Sequence, residues 1–454
     1  MKTCRSLLAG GATPALLAII ASLRGARADN PIVQDIYTAD PAPVVYDGRV
    51  YVFTGHDEDG STTCDIRDWR VFSSDDMANW QHHESPMSLE TFSWASANAW
   101  AGQVIERNDK FYYYVPMTRS DGSMAIGIGV GDSITGPYQD AIGGTLLENG
   151  EIDPTVFIDD DGQTYMYWGD PGLWYVKLNE DMISYSGEIT SVDLTVAGFG
   201  TREGEFTRPT SFEEGPWIYK RNGLYYIVYA ANCCAEDIRY STGPSATGSW
   251  KYGGIIMEAQ GASFTNHPGI VDFNGTSYFF YHNGALPGGG GFTRSVAVES
   301  FTYNSDGSIP LLTMTTDGPS QVPSLDPYIR QKAETMAWSS DIETETCSQG
   351  GLNVCEAHDG DYIKVQGVDF GSTGATLYTA SVASALAGGT LELRLAGTDG
   401  ALAGTYSASN TGGWQSWTTV TCPVTDAVGS HDLYLVFRGE GTDPLFNVDW
   451  WQFS

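Results

Sequence analysis

Five stretches of this chain repeat one pattern: a distinctive opening residue, a short apolar strand, a polar turn, then an aromatic strand. They read ADPAPVVYDGRVYVF from Ala39, AWAGQVIERNDKFYYY from Ala99, IDPTVFIDDDGQTYMY from Ile152, EGPWIYKRNGLYYIV from Glu214 and NHPGIVDFNGTSYFF from Asn266. The turns fall near Gly48, Asp109, Gly162, Gly223 and Gly275. The period is thus roughly 50–60 residues, in the range of propellers and arrays. Each turn carries a dipeptide such as Asp47-Gly48 or Asn222-Gly223, which tolerates the positive φ angles of a tight hairpin. Further strand-like runs lie between the repeats, for example from Trp69 to Ser73 and from Met124 to Val130. About four strands per repeat make one blade, so the pattern predicts a five-bladed β-propeller.

In a propeller the innermost strand of each blade lines the axis, so matched repeat positions converge there. The opening positions hold Asp40, Trp100, Asp153, Glu214 and His267, three of them carboxylic acids. Blades three and four are neighbours, which places Asp153 beside Glu214, while Asp40 faces the pair. Two adjacent carboxyls cannot both ionise cheaply, so one is raised and can act as a general acid. The isolated carboxylate opposite stays ionised and can act as a base. An acid facing a base across a gap suits glycoside hydrolysis, and a wide gap that admits a water gives inversion. At the axial rim Trp100 is a candidate sugar-stacking face, and His267 a substrate contact or a ligand to metal or water. Asn283 and Arg294 follow the fifth hairpin, in YHNGALPGGGGFTRS.

The pattern lapses near residue 315 into DGPSQVPSLDP, read as a linker over 319–329. From residue 330 alternating strands such as YIKVQ, TLELRL and DLYLVF recur between Gly-rich turns. These predict a separate β-sandwich over 330–454. The propeller is assigned residues 29–318. The first 28 residues read as a signal peptide: Lys2 and Arg5, an apolar run from Leu7 to Leu23, then Ala26-Arg27-Ala28 as cleavage site. The chain is therefore expected to be secreted. Six cysteines remain after cleavage; Cys347 and Cys355 are close enough in sequence to pair, and Cys233-Cys234 form a vicinal disulfide or pair elsewhere. A net charge of -33 argues against nucleic acid and anionic membranes as partners.

The strings TADPAPVVYDGRVYVFTGHDE, GEIDPTVFIDDDGQTYMYWG, SFEEGPWIYKRNGLYYIVYA and FTNHPGIVDFNGTSYFFYHNG resemble glycoside hydrolase family 43 over roughly residues 30–320. That resemblance implies a five-bladed β-propeller that inverts configuration, with Asp40 as general base, Glu214 as general acid and Asp153 tuning and orienting the acid. It implies that His267, Asn283 and Arg294 line the pocket, and that no cofactor serves catalysis. QKAE, GDYIKVQGVDF, GGWQSW and LFNVDWWQF resemble carbohydrate-binding module family 6, a β-sandwich with a structural calcium. Glu334 and Asp449 match its calcium ligands, whereas Lys332 stands where that family often has another acidic or amide ligand. Trp414 and Asn447 match the sugar cleft, Glu356 falls where a second aromatic is expected, and Tyr362 is a weak substitute. Of Trp450 and Trp451, alternation predicts one in the core. Together the resemblances imply an enzyme that removes α-L-arabinofuranosyl side groups from plant cell-wall arabinoxylan; the chain is expected to act as a monomer. A β-xylosidase is the alternative, and a non-catalytic sugar-binding propeller the alternative from another class.

Overall fold

The computed structural model describes residues 29–454, apart from 151, 205 and 206. The leader read from the sequence, with Cys4, lies outside the described residues. Among the described residues no helix is long and apolar enough to cross a membrane.

Residues 37–301 form five small antiparallel sheets in sequence order. Their inner strands are Tyr37–Tyr46, Gln103–Arg107, Thr155–Ile158, Phe212–Arg221 and Gly269–Phe273. Each inner strand lies against the next, and the fifth returns to the first. The chain start closes this ring: Ile32 N–H bonds to Val296 C=O at 2.9 Å and Thr38 N–H to Arg294 C=O at 2.8 Å. That seam brings Arg294 beside Asp40. Gly269 marks the same closure, because a Cβ there would stand 2.3 Å from Pro43 Cδ.

Four of the five hairpin turns have both central residues at positive φ: Asp47-Gly48, Asn108-Asp109, Asn222-Gly223 and Asn274-Gly275. This is the mirror-image turn whose twist matches paired strands. The third differs from its expected two-residue form. Only Gly162 has positive φ there, and its N–H bonds back to Asp159 C=O across a longer loop.

The second module is a sandwich of two antiparallel sheets. One holds Glu343–Thr346, Leu352–Cys355, Asn447–Phe453, Leu377–Ser384 and Gly413–Pro423 in spatial order; the other holds Trp338–Ser340, Tyr362–Asp369, Ser430–Arg438, Thr390–Leu395 and Ala401–Ser407. Trp451 is fully buried between them, while Trp450 stacks against the Arg330 guanidinium at 3.8 Å.

The two modules are stitched together more closely than a linker implies. Thr335–Met336 pairs with Trp80–His82, the outer strand of the first blade. Val322 N–H bonds to Asp76 C=O, and Leu325 bridges to Val368, so residues 319–329, though largely exposed, are tied to both modules. Asn79 crosses to the sandwich through Gln366.

Cys347 and Cys355, close enough in sequence to pair, are not bonded, and both are free and buried. They sit at opposite ends of one hairpin, Cys347 at the turn and Cys355 opposite Glu343. Four residue steps of strand separate these levels, about 13 Å at the usual rise. Cys233 and Cys234 are bonded to each other.

Candidate active site

Asp40 and Asp153 both precede a proline and both take positive φ, 56° and 60°. The equivalent pre-proline residue of the fourth blade is Gly215, at φ 59°. Glu214 therefore stands one residue ahead of the position that Asp40 and Asp153 occupy in their repeats. The pairing of its strand is irregular on both sides of Glu214, which lets the longer side chain enter from that earlier position. Gly215 is required twice over, since a Cβ would also lie 3.1 Å from His267 Nδ1.

Asp40, Asp153, Glu214, Trp100, His267 and Arg294 line one cavity of about 230 Å³ at the axis. Asp170, Phe264, Cys64 and the Cys233–Cys234 disulfide complete much of its wall. Asn283 does not line it. Its Oδ1 accepts the Ala285 N–H at 3.0 Å, and strand alternation turns the neighbouring His282 toward Asp40 instead. His282 Nδ1 accepts the Asp40 backbone N–H at 3.1 Å, and its Nε2 lies 3.0 Å from Thr265 C=O. These two contacts fix the orientation of the ring beside Asp40.

Asp57, absent from the residues singled out in sequence, anchors the charged side of the cavity. Its carboxylate takes Arg294 N–H at 2.8 Å, Nε at 2.9 Å and Nη2 at 2.8 Å. Arg294 Nη1 is left to reach Asp40 Oδ1 at 3.1 Å. Burial alone would raise the Asp40 carboxyl. The Arg294 charge, with His282 and His267 behind it, outweighs that and holds it well below the usual carboxylate range. Burial pushes His267 down to about 4, so its ring is neutral beside the charged pair.

The opposite side of the cavity behaves in the reverse way. Burial, then the negative charges of Asp170 and Asp40, push Glu214 up to about 8. Asp153 is also raised, by burial first and then by Glu214. Asp153 Oδ2 accepts the Gly215 N–H at 2.9 Å, which ties it to the backbone that carries Glu214. One cavity thus holds an ionised carboxylate on a guanidinium and a protonated carboxyl in a desolvated, acid-rich corner. Trp100 forms part of the wall, its indole N–H fixed on Cys64 C=O at 2.9 Å.

The signals for His282 and Asp57 were present in the motifs YHNG and GHDE, but nothing in one strand's spacing says which neighbour faces inward.

In the second module the expected calcium ligands do not fit calcium. Lys332 Nζ lies 2.7 Å from Asp449 Oδ1 and 3.2 Å from Gly350 C=O, so an ammonium stands among the oxygens that ion would need. Burial pushes Glu334 up to about 8, which leaves it a neutral acid with one buried oxygen unpartnered. The expected sugar cleft is changed as well. Asn447 is buried and spends its amide hydrogens on Glu345 Oε1 at 2.7 Å and Trp414 C=O at 3.0 Å. Glu356 lies instead in a cleft of about 450 Å³ between the modules, with Asp35, Tyr37 and Leu286.

The profile described as "Glycosyl hydrolases family 43" matches residues 28–309, and "Carbohydrate binding module (family 6)" matches 332–454. The chain is similar to an arabinoxylan arabinofuranohydrolase of Paenibacillus polymyxa, 33% identical over 94% of this chain and 74% of that protein. A second arabinoxylan arabinofuranohydrolase, from Bacillus subtilis (strain 168), is 34% identical over 94% of this chain and 92% of that one. A crystal structure of a family 43 arabinoxylan arabinofuranohydrolase from Bacillus subtilis, in complex with cellotetraose, superposes with a TM-score of 0.80 at 32% identity, covering 94% of this chain and 97% of that one.

Proposed function

Because this chain belongs to glycosyl hydrolase family 43 and is a xylan-active glycosidase with a family 6 carbohydrate-binding module, we propose that it releases α-L-arabinofuranosyl side groups from arabinoxylan with inversion. The observation that carries this reading is the opposed protonation of Asp40 and Glu214 in one cavity of about 230 Å³. In the proposed reaction Asp40 takes a proton from a water as that water attacks the anomeric carbon. Glu214 gives its proton to the departing oxygen, so the leaving sugar departs as an alcohol. Asp153 holds the Gly215 amide and so the backbone that carries Glu214, while burial and the charges of Asp170 and Asp40 keep the proton on Glu214. Arg294 and His282 keep Asp40 ionised and aimed, and Trp100 offers an apolar face to the sugar ring. The protein works outside the cell, on the plant cell wall, after loss of its leader.

Products released from wheat arabinoxylan test the substrate. Free arabinose supports the proposal, whereas free xylose points to a β-xylosidase and oligosaccharides to an endo-acting enzyme. NMR of the first-released anomer tests the stereochemistry, and a retained anomer sinks inversion. Asp40→Asn and Glu214→Gln are expected to lower kcat by several orders of magnitude while the fold persists; turnover surviving both changes would refute the assignment.

A further inference from the structure

The Cys233–Cys234 disulfide lies in the wall of the catalytic cavity, and the reaction as described gives it no part. Cys233 is half-buried and Cys234 exposed, so the pair borders that space rather than the core. Its segment is held at both ends. Asn232 N–H bonds to Ser211 C=O at 3.1 Å, and its side-chain amide donates to Asp237 Oδ2 at 2.9 Å. Cys233 N–H donates to Glu213 Oε2 at 3.3 Å, and Glu213 is clamped by Arg202 and Arg208 at 2.6 Å each. Beyond the pair, Glu236 N–H bonds to Phe264 C=O at 3.1 Å, and Glu236 Oε2 accepts the Asn266 N–H at 2.8 Å. Phe264 lines the same cavity and packs edge-on against Phe292, ring centroids 4.9 Å apart. Both sulfurs and a Glu236 carboxylate oxygen lie within 4.8 Å of one another. A metal would need thiolates there, and the bonded pair offers none. The cavity thus has two apolar walls. Trp100 belongs to the second blade and the disulfide to the fourth, with Asp153 of the third between them in the ring. A sugar carries hydroxyls on its edge and carbon-bound hydrogens on its faces. The carboxyls, His267 and Arg294 suit the first; an uncharged, polarisable pair of sulfurs with no hydrogen to donate suits the second.

We propose that the Cys233–Cys234 disulfide is a substrate-contacting, specificity-determining wall that takes the carbon-bound surface of the pentosyl unit being cut, with Trp100 as its counterpart. The inference rests on this cavity being the glycosidase site. A bond between neighbouring residues closes a small ring with the backbone between them, so neither side chain can turn away. The wall is rigid before the sugar arrives, and no side-chain freedom is lost when it binds. The Cys233 amide on Glu213 ties the wall to the residue that precedes the acid, so sugar face and proton donor are held in one frame. An apolar contact of this kind is made equally in the ground state and the transition state. It therefore acts on KM and leaves kcat nearly alone.

The full chain carrying Cys233→Ala and Cys234→Ala together tests this on arabinoxylan and on 4-nitrophenyl α-L-arabinofuranoside. KM is expected to rise about 10- to 100-fold on both, the range that a lost apolar contact in a pocket costs, with kcat within a few-fold. Cys233→Ser with Cys234→Ser puts hydroxyls where the sulfurs stood and is expected to raise KM at least as much. A pair that only braced its loop would, once removed, let the Glu213–Glu214 backbone shift and lower kcat. A kcat loss larger than the KM rise therefore overturns the inference, as does an unmoved KM in either variant. If neither variant folds, the wild type treated with a phosphine reductant carries the test, since this is the one disulfide among the described residues. Alkylation of Cys233 and Cys234, read by mass spectrometry, reports the opened bond. The freed side chains regain rotation, so KM is expected to rise about 3- to 10-fold and to return on reoxidation; an unmoved KM in the reduced chain overturns the inference. A wild type inactive on both substrates instead defeats the functional reading, and this inference with it, whereas an active wild type whose variants keep its KM defeats this inference alone.

Discussion

Replacing Arg294 by Met separates two jobs that one guanidinium performs. Three of its N–H groups serve Asp57 and one serves Asp40, and all three side chains are buried. Without it, two carboxylates are left in a desolvated wall. Breaking a buried pair by removing one partner costs about 3–5 kcal/mol. At roughly 2–4 °C per kcal/mol, the value for domains near this size, Tm falls by about 6–20 °C. The catalytic effect is distinct. Asp40 is held low, so its ionised form adds stability above the unfolded pKa, and that stability is lost as pH falls. Arg294 is the largest of the groups that lower it. Its loss is expected to move the acid limb of kcat/KM upward by about one to three pH units, the size an adjacent arginine confers. Calorimetry and a pH–rate profile on arabinoxylan read the two effects. The double variant R294M/D57N removes the stranded Asp57 charge. It should recover most of the Tm while leaving the acid limb displaced. The reasoning is refuted if R294M leaves the acid limb unmoved, or if the double variant restores it.

Three further outcomes follow from the same geometry. Because Lys332 stands among the oxygens expected to hold calcium, chelation with EDTA should leave Tm unchanged, whereas Lys332→Met strands the buried Asp449 and lowers it; a Tm drop with EDTA would refute the fit argument. Glu334, pushed up to about 8, contributes stability that is full below its unfolded pKa and is lost as pH rises through 8. Tm should therefore decline between the unfolded pKa of 4.5 and about pH 8, and Glu334→Gln should flatten that decline. Gly215→Ala meets both a φ of 59° and the His267 ring, so it should cost about 1–2 kcal/mol and lower kcat more than KM changes.

Local pattern carried the architecture a long way. A turn dipeptide followed by an aromatic strand recurs because each blade must bury one sheet against the next, and that demand is written afresh in every repeat. The Asp-Pro pairs at 40 and 153 were legible because the same dipeptide recurs at matched positions of two repeats; both aspartates take positive φ. Glu214 was found through the same alignment although it occupies the position one residue earlier. A pre-proline Gly215 and an irregular strand pairing return its side chain to the axis, and neither has a signature in spacing alone. Asn283 and His282 show the limit most plainly. They are adjacent, both polar and both buried, and only strand pairing decides which one meets Asp40.

The chain alone therefore determined five repeats, the two kinds of module and three of the acids at the axis, since these depend on periodicity and on residue type. Tertiary structure decided the surroundings that set each acid's charge. Asp40 and Glu214 are ordinary carboxyls in sequence. They separate because ring closure brings Arg294, 254 residues away, onto the first, while burial beside Asp170 surrounds the second with negative charge. The same holds for Lys332 and Asp449: a lysine 117 residues from an aspartate becomes its counter-ion only when the sandwich pairs their strands. Charge–charge interaction depends on distance and local dielectric, and both are properties of the packed molecule.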